Sequence, residues 1–163
     1  MPRKQLSLDA NLVFDLAEER DFAHEFREVF LGRGYRLFLP PTALIELDFL
    51  SAEGGTSAER ALAREGLLNL RRWGIHPFDL DSTAEGVARR FAGRIRELRL
   101  VPEEEVNDGL ILAETSLADI PLLITSDRHL LDADEETLLL AFHDADLPPV
   151  HPVHPRRLLR ALR

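Results

Sequence analysis

Four acidic residues in this sequence stand where a carboxylate could do chemistry. Asp9 and Asp127 come just after short apolar segments that are typical of strands, in SLDAN and LLITSD. Glu46 and Asp108 lie within helical segments that are rich in apolar residues. Because buried acids are seldom left unpaired, we expect these four side chains to converge on one another or on a cation.

The two helical acids are set among apolar neighbours. The segment Ala43–Leu50 is apolar on nearly every side, which predicts a buried helix, and Glu46 projects among its apolar side chains. Farther along, Asp108 shares one side of a helix with Ile111 and Leu112. A carboxylate in either place needs a partner.

Simpler roles compete with this interpretation. Asp9 and Asp127 are also well placed to be helix N-caps, and Asp108 to be a solvated helical residue. Other acids have a sufficient structural explanation: Glu103–Glu105 complement a helix dipole, and the acids of 132–136 fit a solvated loop and a helix start.

Short strands alternate with helices along the chain. We predict strands at Gln5–Leu8, Arg36–Leu39, Ile75–Phe78, Leu122–Thr125 and Val150–Val153. We predict helices at Asn11–Glu19, Asp21–Leu31, Ala43–Leu50 with Thr42 as N-cap, Ser57–Trp73, Ser82–Leu100, Pro102 to about Ser116, a turn after Asp127, and Arg156–Leu162. This alternation favours a three-layer α/β/α domain with a short, mainly parallel sheet, in which ligands bind beyond the carboxyl ends of the strands.

Composition and charge narrow the classes of function. The 163 residues contain no cysteine, which excludes a disulfide framework, thiolate metal ligands and a cysteine nucleophile. No apolar run approaches the roughly 20 residues that span a bilayer, and the start lacks the apolar region of a secretory signal. We therefore expect a cytoplasmic protein without a membrane partner.

Arginines are concentrated on one part of an acidic chain. The net charge is −9, yet residues 60–99 carry nine arginines and five acids. These arginines either form an exposed, salt-bridged helix face or contact RNA phosphates. The expected RNA contacts are Arg89, Arg90, Arg94 and Arg96. The C-terminal arginines, among them Arg163, offer a second basic patch.

Other α/β chemistries lack the residues they need. A phospho-acceptor receiver domain requires a lysine after a late strand, and the only lysine is Lys4. The chain has no P-loop, no GxGxxG fingerprint before a helix and no GxSxG elbow. His151 and His154 lie in a proline-rich strand and turn, which is a poor setting for a zinc site.

Four short motifs, taken in order, resemble the PIN-domain family, which includes the VapC-type ribonuclease toxins of bacterial toxin–antitoxin pairs. They are Asp-Ala-Asn at 9–11, a glutamate at 46 in an apolar helix after a strand, Asn-Asp-Gly-Leu-Ile at 107–111, and Thr-Ser-Asp at 125–127. The resemblance spans almost the whole chain and implies a single PIN-like domain over residues 1–163.

Two departures from the family pattern have structural consequences. The span from Glu46 to Asp108 is long for a toxin-type member, which implies an enlarged, arginine-bearing helical arm at about 57–100. Ala10 stands where a hydroxyl residue often follows the first aspartate, and this alters the surroundings of the expected metal.

The resemblance implies a metal-dependent nuclease that hydrolyses RNA phosphodiester bonds. Clustered carboxylates repel one another, and a hard divalent cation, Mg²⁺ or Mn²⁺, relieves that repulsion. Glu46 would hold a water on the metal or act as a base. The expected metal ligands are Asp9, Asp108 and Asp127, supported by hydrogen-bond donors at Asn11 and Thr125.

The family also implies partners. RNA is the expected substrate, a small antitoxin protein is an expected partner, and a homodimer is what the family suggests. Two alternatives stay open at this point: a PIN-like protein-binding module without catalysis, and a housekeeping nuclease for RNA processing.

Overall fold

A five-stranded sheet forms the centre of the computed structural model, which describes residues 4–162. Its strands are β1 (Gln5–Leu8), β2 (Arg36–Leu39), β3 (Ile75–Pro77), β4 (Leu122–Ile124) and β5 (His151–Val153). All four strand pairings are parallel, in the order β3-β2-β1-β4-β5. The predicted strands are confirmed to within one residue at each end, and the sheet, expected to be mainly parallel, is parallel throughout. Arg163 of the second basic patch lies outside the described residues.

Helices connect the strands. They are α1 (Ala10–Ala17), α2 (Asp21–Gly32), α3 (Pro41–Glu53), α4 (Ser57–Asn69), α5 (Ser82–Glu97), α6 (Val106–Leu117), α7 (Arg128–Leu131), α8 (Glu135–Asp144) and α9 (Pro155–Arg160). No helix within residues 4–162 is both long enough and apolar enough to cross a membrane.

Several helix boundaries differ from prediction; α5 ends at Glu97 instead of Leu100, and α3 continues to Glu53. The helix predicted from Pro102 begins at Val106, because the N–H of Glu105 donates to the Pro102 carbonyl (2.9 Å) and closes a separate turn first. The helix predicted to reach Trp73 ends at Asn69, after which the chain turns through Gly74 at φ +74°. Thr42 is not an N-cap but lies inside the first turn of α3.

Both faces of the sheet are covered by helices. Successive side chains of a strand point to opposite faces, and Leu6, Ser7 and Leu8 of β1 are all fully buried. The Ser7 hydroxyl hydrogen-bonds the Thr115 hydroxyl of α6 at 2.8 Å, so α6 covers the face that Ser7 occupies. These contacts support the three-layer arrangement.

The helix α3 is less buried than its composition predicts. Thr42, Ala43 and Leu47 are buried, whereas Ile45 is 66% exposed and Phe49 is 58% exposed. The expectation of a fully buried helix is wrong because α3 packs against neighbours on one side only, chiefly α4. Of the predicted helical arm at 57–100, α4 packs against α3 and α1, while α5 packs against α6.

The strand order places a crevice between β1 and β4. From β1 the chain moves outward to β2 and β3, and it then crosses back to β4 and β5 on the other side. Parallel sheets bind ligands at such a switch point, outside the carboxyl ends of the strands. The N–H of Asp9 donates to the Ile124 carbonyl (2.9 Å), which joins the ends of these two strands.

Candidate functional site

Asp9 is held rigidly at the end of β1. One carboxylate oxygen accepts the backbone N–H of Ala10 (2.7 Å), so the residue is also the N-cap of α1. The other oxygen accepts the Thr125 hydroxyl (2.7 Å) and the Asn11 side-chain amide (3.3 Å). Burial, and to a smaller extent the charge of Asp127, raises the pKa of Asp9 to about 6, although the hydrogen bonds oppose this rise.

Thr125 and Asn11 join the loops that follow β1 and β4. The Thr125 hydroxyl accepts the Asn11 side-chain amide (3.2 Å) and the backbone N–H of Asp127 (3.0 Å). The side-chain oxygen of Asn11 accepts the N–H of Ser126 (3.3 Å). Asp127 is in turn the N-cap of α7, accepting the N–H of His129 (2.9 Å). The structure thus brings Asp9 and Asp127 together through the two residues that the sequence predicts as supporting donors.

Asp108 lies in the first turn of α6 and is 5% exposed. Its Oδ2 atom is buried and has no hydrogen-bond partner among the described residues. Burial, followed by the charges of Asp127 and Asp9, raises the pKa of Asp108 well above its ordinary range. A solvated helical position is therefore wrong for Asp108.

Glu46 faces the same carboxylates from α3. Burial, followed by the charge of Asp9, raises its pKa to about 7, and a hydrogen bond with Asn107 opposes the rise. Asn107 directly precedes Asp108, so this hydrogen bond links α3 to the first turn of α6. The charges of Asp9 and Asp127 raise the pKa of both helical acids.

A fifth carboxylate, that of Glu105, belongs to this group. Its charge raises the pKa of both Glu46 and Asp108. It is the N-cap residue of α6, but its side chain makes no capping hydrogen bond. Complementing the helix dipole, which the sequence predicts for Glu105, is therefore not its only effect. Its spacing of three residues from Asp108, which places both on one face of a helix, was the available signal.

Glu114 ties α6 to the start of α3. Its buried carboxylate accepts the backbone N–H of Thr42 (3.0 Å) and the Thr42 hydroxyl (2.6 Å). The carboxylate thus satisfies a free N–H in the first turn of α3, whose own N-cap residue, Pro40, provides no side-chain cap. Burial raises the pKa of Glu114, and the two bonds from Thr42 oppose the rise. Neither Asn107 nor Glu114 was predicted as a site residue.

The donor set suits a hard divalent cation. Within residues 4–162, no three His, Asp or Glu side chains form a ready-made metal cage. Mg²⁺ does not require one, since it usually takes one or two carboxylates and keeps several waters. The unpartnered Oδ2 of Asp108, and the nearby charges of Asp127 and Asp9 that raise its pKa, are consistent with such an ion.

The four predicted RNA-contacting arginines do not share one surface. Arg90 and Arg94 line a small cavity between α5 and the end of α8, whereas Arg96 lines a larger cleft beside α7. Arg94 is also paired with Glu97 (3.4 Å), and Arg89 is exposed. The salt-bridged interpretation of this helix thus holds for Arg94.

No family model matches the sequence, and no curated protein matches it. Several solved structures match the fold. VapBC2 from Rickettsia felis, bound to a promoter DNA fragment, aligns with a TM-score of 0.62 and 12% identity over 92% of this chain and 98% of that one. VapBC-1 from nontypeable Haemophilus influenzae gives a TM-score of 0.58 and 13% identity over 93% and 98% of the two chains. FitAcB from Neisseria gonorrhoeae gives 0.51 and 19% over 92% and 97%. At these identities the likeness establishes the fold, which is the helix-rich, all-parallel α/β fold of PIN-domain VapC structures.

Proposed function

We propose that this protein is a metal-dependent ribonuclease that cleaves RNA phosphodiester bonds at Asp9, Glu46, Asp108 and Asp127. The observation that supports this most is the convergence of four carboxylates, from two strand ends and two helices, at the switch point of a parallel sheet. No ion pair with a described cation neutralises any of the four. A polyanionic substrate could approach this group only together with positive charge.

Asp9, Asp108 and Asp127 are the residues that would hold Mg²⁺ or Mn²⁺. When bound, such an ion polarises the phosphate and lowers the pKa of water. The expected ligands differ in their hydrogen bonding. Asp9 is fixed by three hydrogen bonds, and Asp108 keeps a buried oxygen without a partner.

Glu46 is the proton acceptor in this proposal. Its pKa of about 7 lies close to neutral pH, where a general base is most effective. The hydrogen bond with Asn107 links its carboxylate to the first turn of α6, and the charges of Asp9 and Asp127 act on it. The ionised carboxylate of Glu46 would take a proton from the attacking water. Because the side chain is partly exposed, it could then release that proton to solvent.

We further propose that the protein is the toxin of a toxin–antitoxin pair. The fold shared with the VapBC structures and FitAcB, over more than nine-tenths of both chains, supports a small antitoxin as partner. A homodimer and a cytoplasmic location stay predictions from the sequence.

Cleavage of a labelled structured RNA by purified protein tests the nuclease proposal. We expect cleavage in millimolar Mg²⁺ or Mn²⁺ and none in EDTA. Asp108→Asn should abolish cleavage while the protein stays folded, because the amide keeps the shape of the side chain. Asp48→Asn, which removes the same charge from an exposed position on α3, should cleave like the wild type. Equal cleavage by Asp108→Asn prepared in parallel, or cleavage that persists in EDTA, would contradict the proposal.

A further inference from the structure

A cleft of about 850 Å³ opens beside the carboxylate site. Its walls are the end of α5, the turn at 101–103 and the segment 128–133 that includes α7. Arg128 directly follows Asp127, and Glu103 lies two residues before Glu105, so two segments of the lining adjoin site residues along the chain. The volume is in the range of clefts that enclose a small ligand or a short stretch of chain.

Three arginines line this cleft without a carboxylate partner. Among the described residues, none of Arg96, Arg99 and Arg128 forms an ion pair. The Nε of Arg96 is buried and donates to no described acceptor. Arg99 lies just after the end of α5 and has a φ of +58°. This left-handed backbone conformation is uncommon for residues other than glycine, asparagine and aspartate. The cleft therefore presents unused guanidinium groups next to an acidic site.

The remaining lining limits what the cleft could recognise. Three acids, Glu97, Glu103 and Asp132, balance the arginines in formal charge, and Glu97 is already paired with Arg94. The attraction for an anion is therefore local to the guanidinium groups. His129 provides the one aromatic ring among the lining residues, so the cleft offers no surface for stacking successive bases.

We propose that this cleft binds the sugar–phosphate backbone of single-stranded RNA beside the bond that is cut, with Arg96, Arg99 and Arg128 contacting phosphates. This inference rests on the proposed ribonuclease function. The planar guanidinium group can donate two parallel hydrogen bonds to one phosphate, which a lysine cannot. Contacts to the backbone carry no base information, so binding should depend little on sequence.

The test measures binding rather than cleavage. The parent protein is Asp108→Asn in EDTA, and the probe is a fluorescein-labelled single-stranded RNA whose anisotropy is followed over a range of salt concentrations. Arg99→Gln with Arg128→Gln removes two exposed cations from the cleft. Each lost phosphate contact should reduce the slope of log K against log salt by about 0.7, so the double variant should lose about 1.4.

The matched control is Arg71→Gln with Arg72→Gln, which also removes two exposed cations but from positions that do not line the cleft. We expect its slope to stay that of the parent. Glu103→Gln changes the charge of the cleft in the opposite direction. It should bind RNA more tightly than the parent because it removes a negative charge from the lining. Thermal melting checks that each variant is folded.

Several outcomes would overturn the inference. Equal losses in the two arginine pairs would mean that diffuse charge attracts the RNA, and an unchanged slope in the cleft variant would mean that the cleft is unused. A parent that binds no RNA would also reject it. The ribonuclease proposal is tested separately by the cleavage assay with the wild type, and the binding measurement does not depend on cleavage.

Discussion

The two halves of the carboxylate site are built in different ways. Asp9 and Asp127 stand in short loops whose polar atoms bond one another, with the Thr125 hydroxyl at the centre. Glu46 and Asp108 are carried by helices, and their separation depends on how α3 and α6 pack. The loop acids should therefore respond to changes in their immediate hydrogen bonds, and the helical acids to changes in distant packing.

The largest effect should come from the contact between α5 and α6. A Cβ added at Gly109 would lie 2.8 Å from the Cα of Ala92, so Gly109→Val must push the helices apart. We expect a loss of about 3 kcal/mol in the free energy of unfolding, measured in urea. Because Gly109 follows Asp108, cleavage should fall even where the variant is folded.

The matched control is Gly86→Ala on α5, where an added Cβ meets nothing within 4 Å. It should leave stability unchanged or raise it by up to about 1 kcal/mol, since alanine favours a helix. If Gly109→Val were as stable as Gly86→Ala, the close packing of α5 on α6 would be wrong.

Substitution of two buried threonines tests whether the two halves of the site behave independently. Thr42→Val removes a hydroxyl from the Glu114 carboxylate, and Thr125→Val removes one from Asp9; each should cost about 2 kcal/mol. Only Thr125→Val should raise the pKa of Asp9 further, because that hydroxyl lowers it. Carboxyl ¹³C chemical shifts followed against pH would measure this. An equal rise in Thr42→Val would show that the two halves are not independent.

Stability without metal should fall as the pH rises. The pKa values of Asp9 (about 6) and Glu46 (about 7) lie above those of the unfolded chain, so the folded state holds these protons more tightly. Their contribution is complete below about pH 4 and is lost as the pH rises through these values. Urea midpoints in EDTA should decrease from about pH 5 to about pH 8.

The double variant Asp9→Asn with Glu46→Gln should flatten this decline, because the amides mimic the neutral acids. A midpoint that rises with pH in the wild type would contradict the raised pKa values of these buried acids.

The smallest effect should be that of added cation. Mg²⁺ at a few times its dissociation constant should stabilise the wild type by about 1 kcal/mol, seen as a higher melting temperature. Asp9→Asn with Asp127→Asn should abolish this increase, whereas Asp48→Asn should keep it. A melting temperature indifferent to both Mg²⁺ and Mn²⁺ would reject the metal site while leaving the fold intact.

Sequence patterns predicted the loop half of the site better than the helical half. Asp9 and Asp127 were found because the carboxyl ends of parallel strands meet at one edge, and the boundaries of β1 and β2 were confirmed to the residue. Pro102, predicted as the first residue of a helix, instead begins a separate turn, and Glu105 becomes the N-cap residue of α6.

The contacts between helices carried no comparable sequence signal. The partner of Glu114 is Thr42, which is 72 residues away, and only the packing of α6 on α3 brings them together. The apolar pattern of α3 likewise predicts that the helix is buried, but it does not indicate which elements cover each side. Ile45 and Phe49 are exposed.

The hydrogen bonds of Asp9 also make its two carboxylate oxygens unequal. Its Oδ2 already accepts two donors, the Thr125 hydroxyl and the Asn11 amide, whereas Oδ1 accepts only the N–H of Ala10. An ionised carboxylate has about four acceptor positions, so the remaining one is on Oδ1. Oδ1 is therefore the atom with which Asp9 would hold a hard divalent cation without giving up a hydrogen bond to the chain.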